Sequence, residues 1–96
     1  MAKTRIIMTE KVVPVFPKGV RLKFDKKRKQ WVVLAPERMF VLDEIGISVM
    51  HCVDGKSNVD EIVDSLSKQF KAPREEILDD VVEMLQDMAD KGVLDE

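Results

Sequence analysis

From Val20 the chain alternates apolar and charged residues, setting Val20, Leu22 and Phe24 against Arg21 and Lys23. That two-residue period belongs to a strand with one buried face. Asp25-Lys26-Lys27-Arg28-Lys29-Gln30 breaks the pattern and predicts a solvated turn. Trp31 to Ala35 is a short, valine-rich apolar run, the mark of a central strand. Pro36-Glu37 makes a tight turn because proline fixes φ there, and Arg38 to Leu42 returns as a third strand. The result is a three-stranded meander whose last strand lies at an edge unless something outside the meander covers it.

Beyond Leu42 the period becomes helical. Asp43 is placed to cap a first helix carrying Ile45, Val49, Met50 and Val53 and ended by Asp54-Gly55. Gly46 inside it costs up to about 1 kcal/mol against alanine, so this helix is expected to be short and held by packing. Asn58 and Glu61 form a capping-box pattern that opens a second helix, with Val59, Ile62, Val63, Leu66 and Phe70 on one face. Lys71-Ala72 is the turn. Pro73 suits the first position of a third helix, with Glu75 and Glu76 at the positive end of its dipole, and Gly92 stops it after Lys91. These elements predict an α+β domain of winged-helix-like type, a three-stranded antiparallel sheet followed by three helices. Residues 1–16 have no clear period, and Pro14 and Pro17 keep this stretch from being a helix or a central strand. They are expected to form an N-terminal arm, ordered by docking on a neighbour or on the sheet, ahead of a domain over 17–96.

The third helix is apolar over an unusually broad arc. Ile77, Val81, Met84 and Met88 form one stripe, and Leu78, Val82, Leu85 and Ala89 form the next. At 100° per residue the arc spans about 160°, whereas a helix on a single core needs little more than 100°. Two readings stay open: both stripes are core under the sheet and second helix, or one flank remains free. A free, methionine-bearing flank beside an edge strand makes a groove for an extended peptide, with main-chain bonds from the strand and apolar pockets from the helix. The residues expected to bind are Arg38, Met39, Phe40, Val41 and Leu42 on the strand and Ile77, Asp80, Val81, Met84 and Met88 on the helix.

Composition narrows the function classes. Ninety-six residues make one core, and the lone Cys52 cannot form an intrachain disulfide, which fits a reducing cytoplasm. Thr9-Glu10-Lys11 interrupts the short Ile6-Ile7-Met8 run before any signal-peptide core, and no apolar run approaches bilayer length. The net charge of −2 hides a polarised chain: residues 1–30 hold ten Lys/Arg against two acids, and residues 31–96 hold six against sixteen. Helix, turn, helix beside a sheet invites a DNA-binding regulator as the alternative function, yet the helix that should enter the major groove carries Glu75, Glu76, Asp79, Asp80, Glu83, Asp87 and Asp90 against Lys91. Seven carboxylates repel the phosphates that dominate such affinity.

No catalytic set converges. His51 is the single histidine, and the adjacent Cys52 points elsewhere on a helix, so no metal pair exists and a partly buried helix position is expected. Asp79-Asp80 lies among charged neighbours on a solvated face. Asp64-Ser65-Leu66 matches the triplet on which carrier proteins bear a prosthetic arm, but there the serine opens a helix and here it follows Ile62-Val63 in mid-helix. The chain therefore reads as no enzyme by itself, with no cofactor or metal of its own.

One ordered set of residues resembles a known family. Gly19-Val20-Arg21-Leu22, then Trp31-Val32-Val33-Leu34-Ala35-Pro36-Glu37-Arg38, then Leu42-Asp43, Asp54-Gly55, Ile62, Leu66, Phe70, Ala72, Ile77, Asp80-Val81, Leu85 and Lys91-Gly92 are similar in order and spacing to the PqqD proteins of pyrroloquinoline quinone (PQQ) biosynthesis. The resemblance covers roughly Pro17 to the end of the sequence. It implies a winged-helix-like peptide chaperone that binds the ribosomally made precursor peptide as an added strand and presents it to a radical S-adenosylmethionine enzyme. The first fifteen or so residues match nothing in that pattern, which leaves a homodimer and N-terminal docking open, and Gly46 stands where a small helix former is expected.

Overall fold

The computed structural model describes residues 5–96, and the valine-rich run is its middle strand. Strands β1 (Arg21–Asp25), β2 (Gln30–Ala35) and β3 (Arg38–Val41) form one antiparallel sheet in the order β1-β2-β3. Helices α1 (Glu44–His51), α2 (Val59–Phe70) and α3 (Arg74–Asp90) follow. Val33 lies between Leu22 and Phe40 in the register and is fully buried against the helices. Val32 points to the other face between Lys23 and Val41 and is buried as well.

The inward face of β1 ends sooner than its alternation predicts. Val20 is buried and Leu22 is partly so, but Phe24 is 41% exposed. The sheet outruns the helices there, so Phe24 meets Trp31 edge-on at 5.5 Å instead of the core, and Trp31 in turn meets His51 at 4.7 Å. His51 itself is exposed rather than partly buried. Ile45 also departs from the expected inward face of α1 and is 56% exposed.

Local signals set the helix ends. The Asp43 carboxylate accepts the Gly46 N–H at 2.7 Å, opening α1. In α2 the Asn58 side chain accepts from the Glu61 N–H and the Glu61 carboxylate accepts from the Asn58 N–H, the full reciprocal box. Pro73 takes the cap position of α3 rather than its first turn, one residue earlier than expected. At the far end Gly92 (φ +78°) lets its own N–H reach the Ala89 carbonyl and the Val93 N–H reach that of Met88, a Schellman closure that a residue with a Cβ would strain. Val93 and Leu94 then turn back into the core.

The expected division at residue 16 does not separate an arm from a domain, because residues 5–16 share the core. Met8 is 4% exposed, and both heteroatoms of the Gln86 side-chain amide clamp the strap: its oxygen accepts the Met8 N–H at 2.8 Å and its nitrogen donates to the Ile6 carbonyl at 2.7 Å. The carbonyls of Val12 and Glu10 accept the first two N–H groups of α2, from Val59 and Asp60, donors that otherwise have no intrahelical partner. Val15 pairs with Asp95 in an antiparallel bridge, and Arg5 meets Asp90 at 2.8 Å. The docking surface is thus the helices and the C-terminal tail rather than the sheet. Residues 1–4 lie outside the described part.

If this strap is core, Met8→Ala should lower stability by about 2–4 kcal/mol, the range for truncating a buried methionine. Urea unfolding measures it, and a change below about 0.5 kcal/mol would make the strap peripheral.

Candidate functional site

Three neighbours share the apolar arc of α3. Val81, Leu85 and Met88, at 2%, 0% and 4% exposure, face the core. On one side Leu78, Val82 and Ala89 are partly buried beside the strap, which Gln86 and Asp90 fasten. On the other side Ile77 and Met84 are only partly covered, and Asp80 is exposed. The stripe expected to face a peptide therefore splits. Val81 and Met88 are packed into the core and are not free walls, while Ile77, Asp80 and Met84 remain accessible. The broad arc has a physical reason that helical periodicity does not reveal: part of it lies under residues 5–16.

The open flank belongs to a real depression. Ile77, Asp80, Val81 and Met84 line a cavity of about 350 Å³ together with Asp43, Ile45, Gly46 and Val49 around α1 and Leu66, Phe70 and Ala72 at the end of α2. Gly46 permits the approach that closes it. A Cβ there would stand 3.1 Å from the Met84 Cε, 3.1 Å from the capping oxygen of Asp43 and 3.2 Å from the Leu42 Cβ. A missing side chain thus brings the end of β3, the start of α1 and the middle of α3 together. The sequence showed the glycine as a cost without showing this use, and it gave no sign that Ile45 sits on the cavity rim.

β3 supplies the second half of the site. As the last strand in the order it leaves one edge unpaired. Ala35 and Arg38 flank a two-residue turn in which Glu37 adopts φ +61°. Such a flanking pair exchanges its hydrogen bonds across the hairpin, and alternation then turns the N–H and C=O of Met39 and Val41 away from β2. The side chains of Arg38, Phe40 and Leu42 alternate with these toward the helices: Phe40 and Leu42 pack against the core, and Met39 and Val41 are 41% and 52% exposed on the opposite face. Arg38 spans to α3, donating from Nη2 to the Lys91 carbonyl at 2.9 Å, with its guanidinium carbon 5.3 Å from the centre of the Phe40 ring. Arg38 meets the Lys91 carbonyl at one end of the strand, and Leu42 and Met84 both converge on Gly46 at the other.

The other sequence candidates separate from this groove. Ser65 is exposed on α2, and the carboxylates of the neighbouring Asp64 and of Asp60 both accept from Arg74. The hydrogen bonds it donates to Asp64 and Asp60 hold the Arg74 guanidinium in its charged form, so the cation that opens α3 is already engaged. With all seven acids of that helix exposed, α3 has no free cationic face for a phosphate backbone. Burial, and secondarily the charge of Asp54, pushes the Cys52 thiol up, which makes it a poor nucleophile. Among the described residues no three His, Cys, Asp or Glu side chains gather to hold a metal ion, and no helix is long and apolar enough to cross a membrane. A larger open trough of about 1200 Å³ runs from the strap side of α3 round to Asp80 and Met84, and Glu10, Asp79, Asp80, Glu83, Asp87 and Asp90 make up half of its lining, as on a solvated helix face.

A three-stranded sheet with a free edge, set beside a helix whose flank is partly bare, defines a small α+β domain with a groove suited to extended chains. Comparison with known proteins agrees on the fold. Residues 30–94 match the family model for coenzyme PQQ synthesis protein D (PqqD). The chain is 49% identical over 96 residues to the PqqA binding protein of Rhodopseudomonas palustris strain TIE-1, covering all of this chain and 94% of that one. Over 83 residues it is 42% identical to the bifunctional coenzyme PQQ synthesis protein C/D of Methylorubrum extorquens, covering 86% of this chain and 22% of the fusion. The solution structure of the PqqD truncation of Methylobacterium extorquens PqqCD, described as a functional, stand-alone recognition element for ribosomally synthesized and post-translationally modified peptides, superposes with a TM-score of 0.80 at 39% identity over 93% of this chain and 95% of that one. The crystal structure of PqqD from Xanthomonas campestris gives 0.60 at 36% identity over 93% and 99%. The chain belongs to the PqqD family.

Gly46→Ala tests the closure of the groove. Alanine favours a helix by up to about 1 kcal/mol, yet here its methyl crowds three groups at once and pushes on the capping carboxylate, itself worth about 1 kcal/mol. The expected net result is a loss of stability of about 1 kcal/mol by chemical denaturation. A gain would mean that Met84 and Asp43 move aside freely.

Proposed function

We propose that this chain is a peptide chaperone of PQQ biosynthesis, which captures the ribosomally made precursor peptide as an added strand on β3 and presents it to a radical S-adenosylmethionine enzyme. The observation that carries the reading is the unpaired β3 edge beside the uncovered Ile77–Met84 flank, in a chain whose relatives are named PqqA binding proteins. Strand addition supplies main-chain bonds to Met39 and Val41, and the cavity at α1 and α3 receives an apolar side chain of the peptide. Chemistry on the precursor belongs to the partner enzyme, since this chain contributes positioning and no convergent acid, base or nucleophile. Relatives named as binding proteins and a recognition element support that division, and the fusion to protein C supports work alongside other enzymes of the pathway.

Titrating labelled protein with a synthetic PqqA peptide and following backbone amides tests the reading directly: Met39, Val41, Ile77 and Met84 should shift, and the strap residues 5–16 should not. Proline substitution separates binding from folding. Met39→Pro removes an outward N–H and should abolish detectable peptide binding with the fold kept, whereas Phe40→Pro breaks the bond to β2 and should disrupt the sheet. Preserved binding in a folded Met39→Pro variant would rule out strand addition at this edge.

The helix wall has its own test. Met84→Asp should leave the protein folded by circular dichroism, because Met84 is only partly covered, and should weaken binding by about 1–3 kcal/mol, the worth of one buried apolar side chain. Unfolding would assign Met84 to the core, and unchanged affinity would move the site elsewhere.

A further inference from the structure

We propose that Arg38 reads a carboxylate and thereby sets the register of the bound strand: the captured peptide carries an acidic side chain opposite Arg38 and apolar side chains two and four residues away, opposite Phe40 and Leu42. The inference rests on strand addition at β3 and deepens it. Along a strand paired with β3, side chains facing the helices recur every second residue, so they meet Arg38, Phe40 and Leu42 in turn. A cation, an aromatic ring and an aliphatic chain form that inner row, and the row ends beside the apolar cavity under Met84.

Arg38 is pre-positioned for this task and is not neutralised. One N–H is fixed by the Lys91 carbonyl, at the negative end of the α3 dipole, and the guanidinium is steadied over the Phe40 ring. Its remaining donors have no partner among the described residues, and the side chain is exposed. The acids in the last turn of α3 are engaged elsewhere, Asp87 by Lys91 and Asp90 by Arg5, each at 2.8 Å. On the opposite face of the strand Arg28 reaches the Met39 sulfur at 3.6 Å, so this end of β3 is cationic on both sides. The other end is anionic, with Asp43 and Asp80 on the cavity rim. A carboxylate is therefore attracted at Arg38 and repelled at the cavity, and the peptide's charge distribution selects which end lies where.

The test uses the PqqA peptide of Rhodopseudomonas palustris and variants in which each Glu or Asp is changed singly to Gln or Asn. These are titrated by calorimetry, at low and high salt, against the wild-type protein, Arg38→Gln and Arg38→Lys. One acidic position should stand out: its amide variant binds the wild-type protein about three- to tenfold more weakly, the scale of a partly exposed charge-assisted pair. The same change should make little difference to Arg38→Gln. A purely structural Arg38, acting only through its tie to Lys91, would instead weaken every peptide equally, and that additive pattern would overturn the proposal. If Arg38→Gln fails to fold, Arg38→Lys together with the salt dependence of the single sensitive peptide position decides the matter, and absence of any such position overturns it. Peptides that bind the wild-type protein with no sensitive acid refute the register reading and leave strand addition intact, whereas no binding to the wild-type protein refutes strand addition itself.

Discussion

The broad apolar arc of α3 is the constraint around which the molecule is arranged. A helix with so much apolar surface must be covered from more than one direction or expose a large patch to water. The sheet and α2 cover Val81, Leu85 and Met88. The strap of residues 5–16 covers the next flank and is held there by Gln86, which satisfies two backbone groups at once. Ile77 and Met84 are what remains. With one flank of α3 covered by this chain's own backbone, the flank beside β3 is the one the proposed strand addition uses.

How the two halves of the groove meet depends on two small contacts. Arg38 ties the start of β3 to the last turn of α3, and the absence of a side chain at Gly46 allows Leu42, Asp43 and Met84 to converge. The proposed added strand would lie between those two points. The penalty of glycine in a short helix is offset by the capping bond that Asp43 makes to the Gly46 N–H at 2.7 Å and by packing of Val49 and Met50.

Much of this was legible from residue patterns. Alternation gave β1, the valine run gave β2, Pro36-Glu37 gave the turn, and Asn58/Glu61 and Gly92 marked helix ends, because each is a local signal with a local cause. Failures occurred where burial depends on what lies far away in sequence. Phe24 obeys the alternation of β1 but sits beyond the helices, so periodicity placed it in a core that does not extend that far. Ile45 looked inward for the same reason and lies on a rim. Met88 and Ile77 share a stripe by period yet differ in burial, since the boundary between core and groove runs along the stripe. Nothing local in residues 5–16 announced that their carbonyls would complete the first turn of α2, because that pairing joins segments about fifty residues apart. Order and spacing matched to a family pattern identified the family, which no period does, but placed none of these positions.

The shortness of β3 determines how the groove can discriminate. The sheet has a second free edge at β1, where Arg21 and Lys23 are exposed and a basic turn follows, a charge pattern that discourages strand pairing. β3 has four residues, and only Met39 and Val41 turn their backbone groups outward. The two N–H and two C=O groups give about four main-chain bonds, each worth about 0.5–1.5 kcal/mol net. Ordering the matching four or five peptide residues costs about 1–2 kcal/mol apiece in backbone entropy, so the ladder alone does not hold a peptide. An arbitrary strand therefore gains little here. The surplus must come from side chains: an apolar group entering the cavity beneath Ile45, Ile77 and Met84 contributes about 1.5–3 kcal/mol, and a carboxylate at Arg38 adds a smaller, orienting increment. On the proposed strand addition, main-chain bonds on so short an edge would set the geometry, and the inner row of side chains would decide which peptide stays.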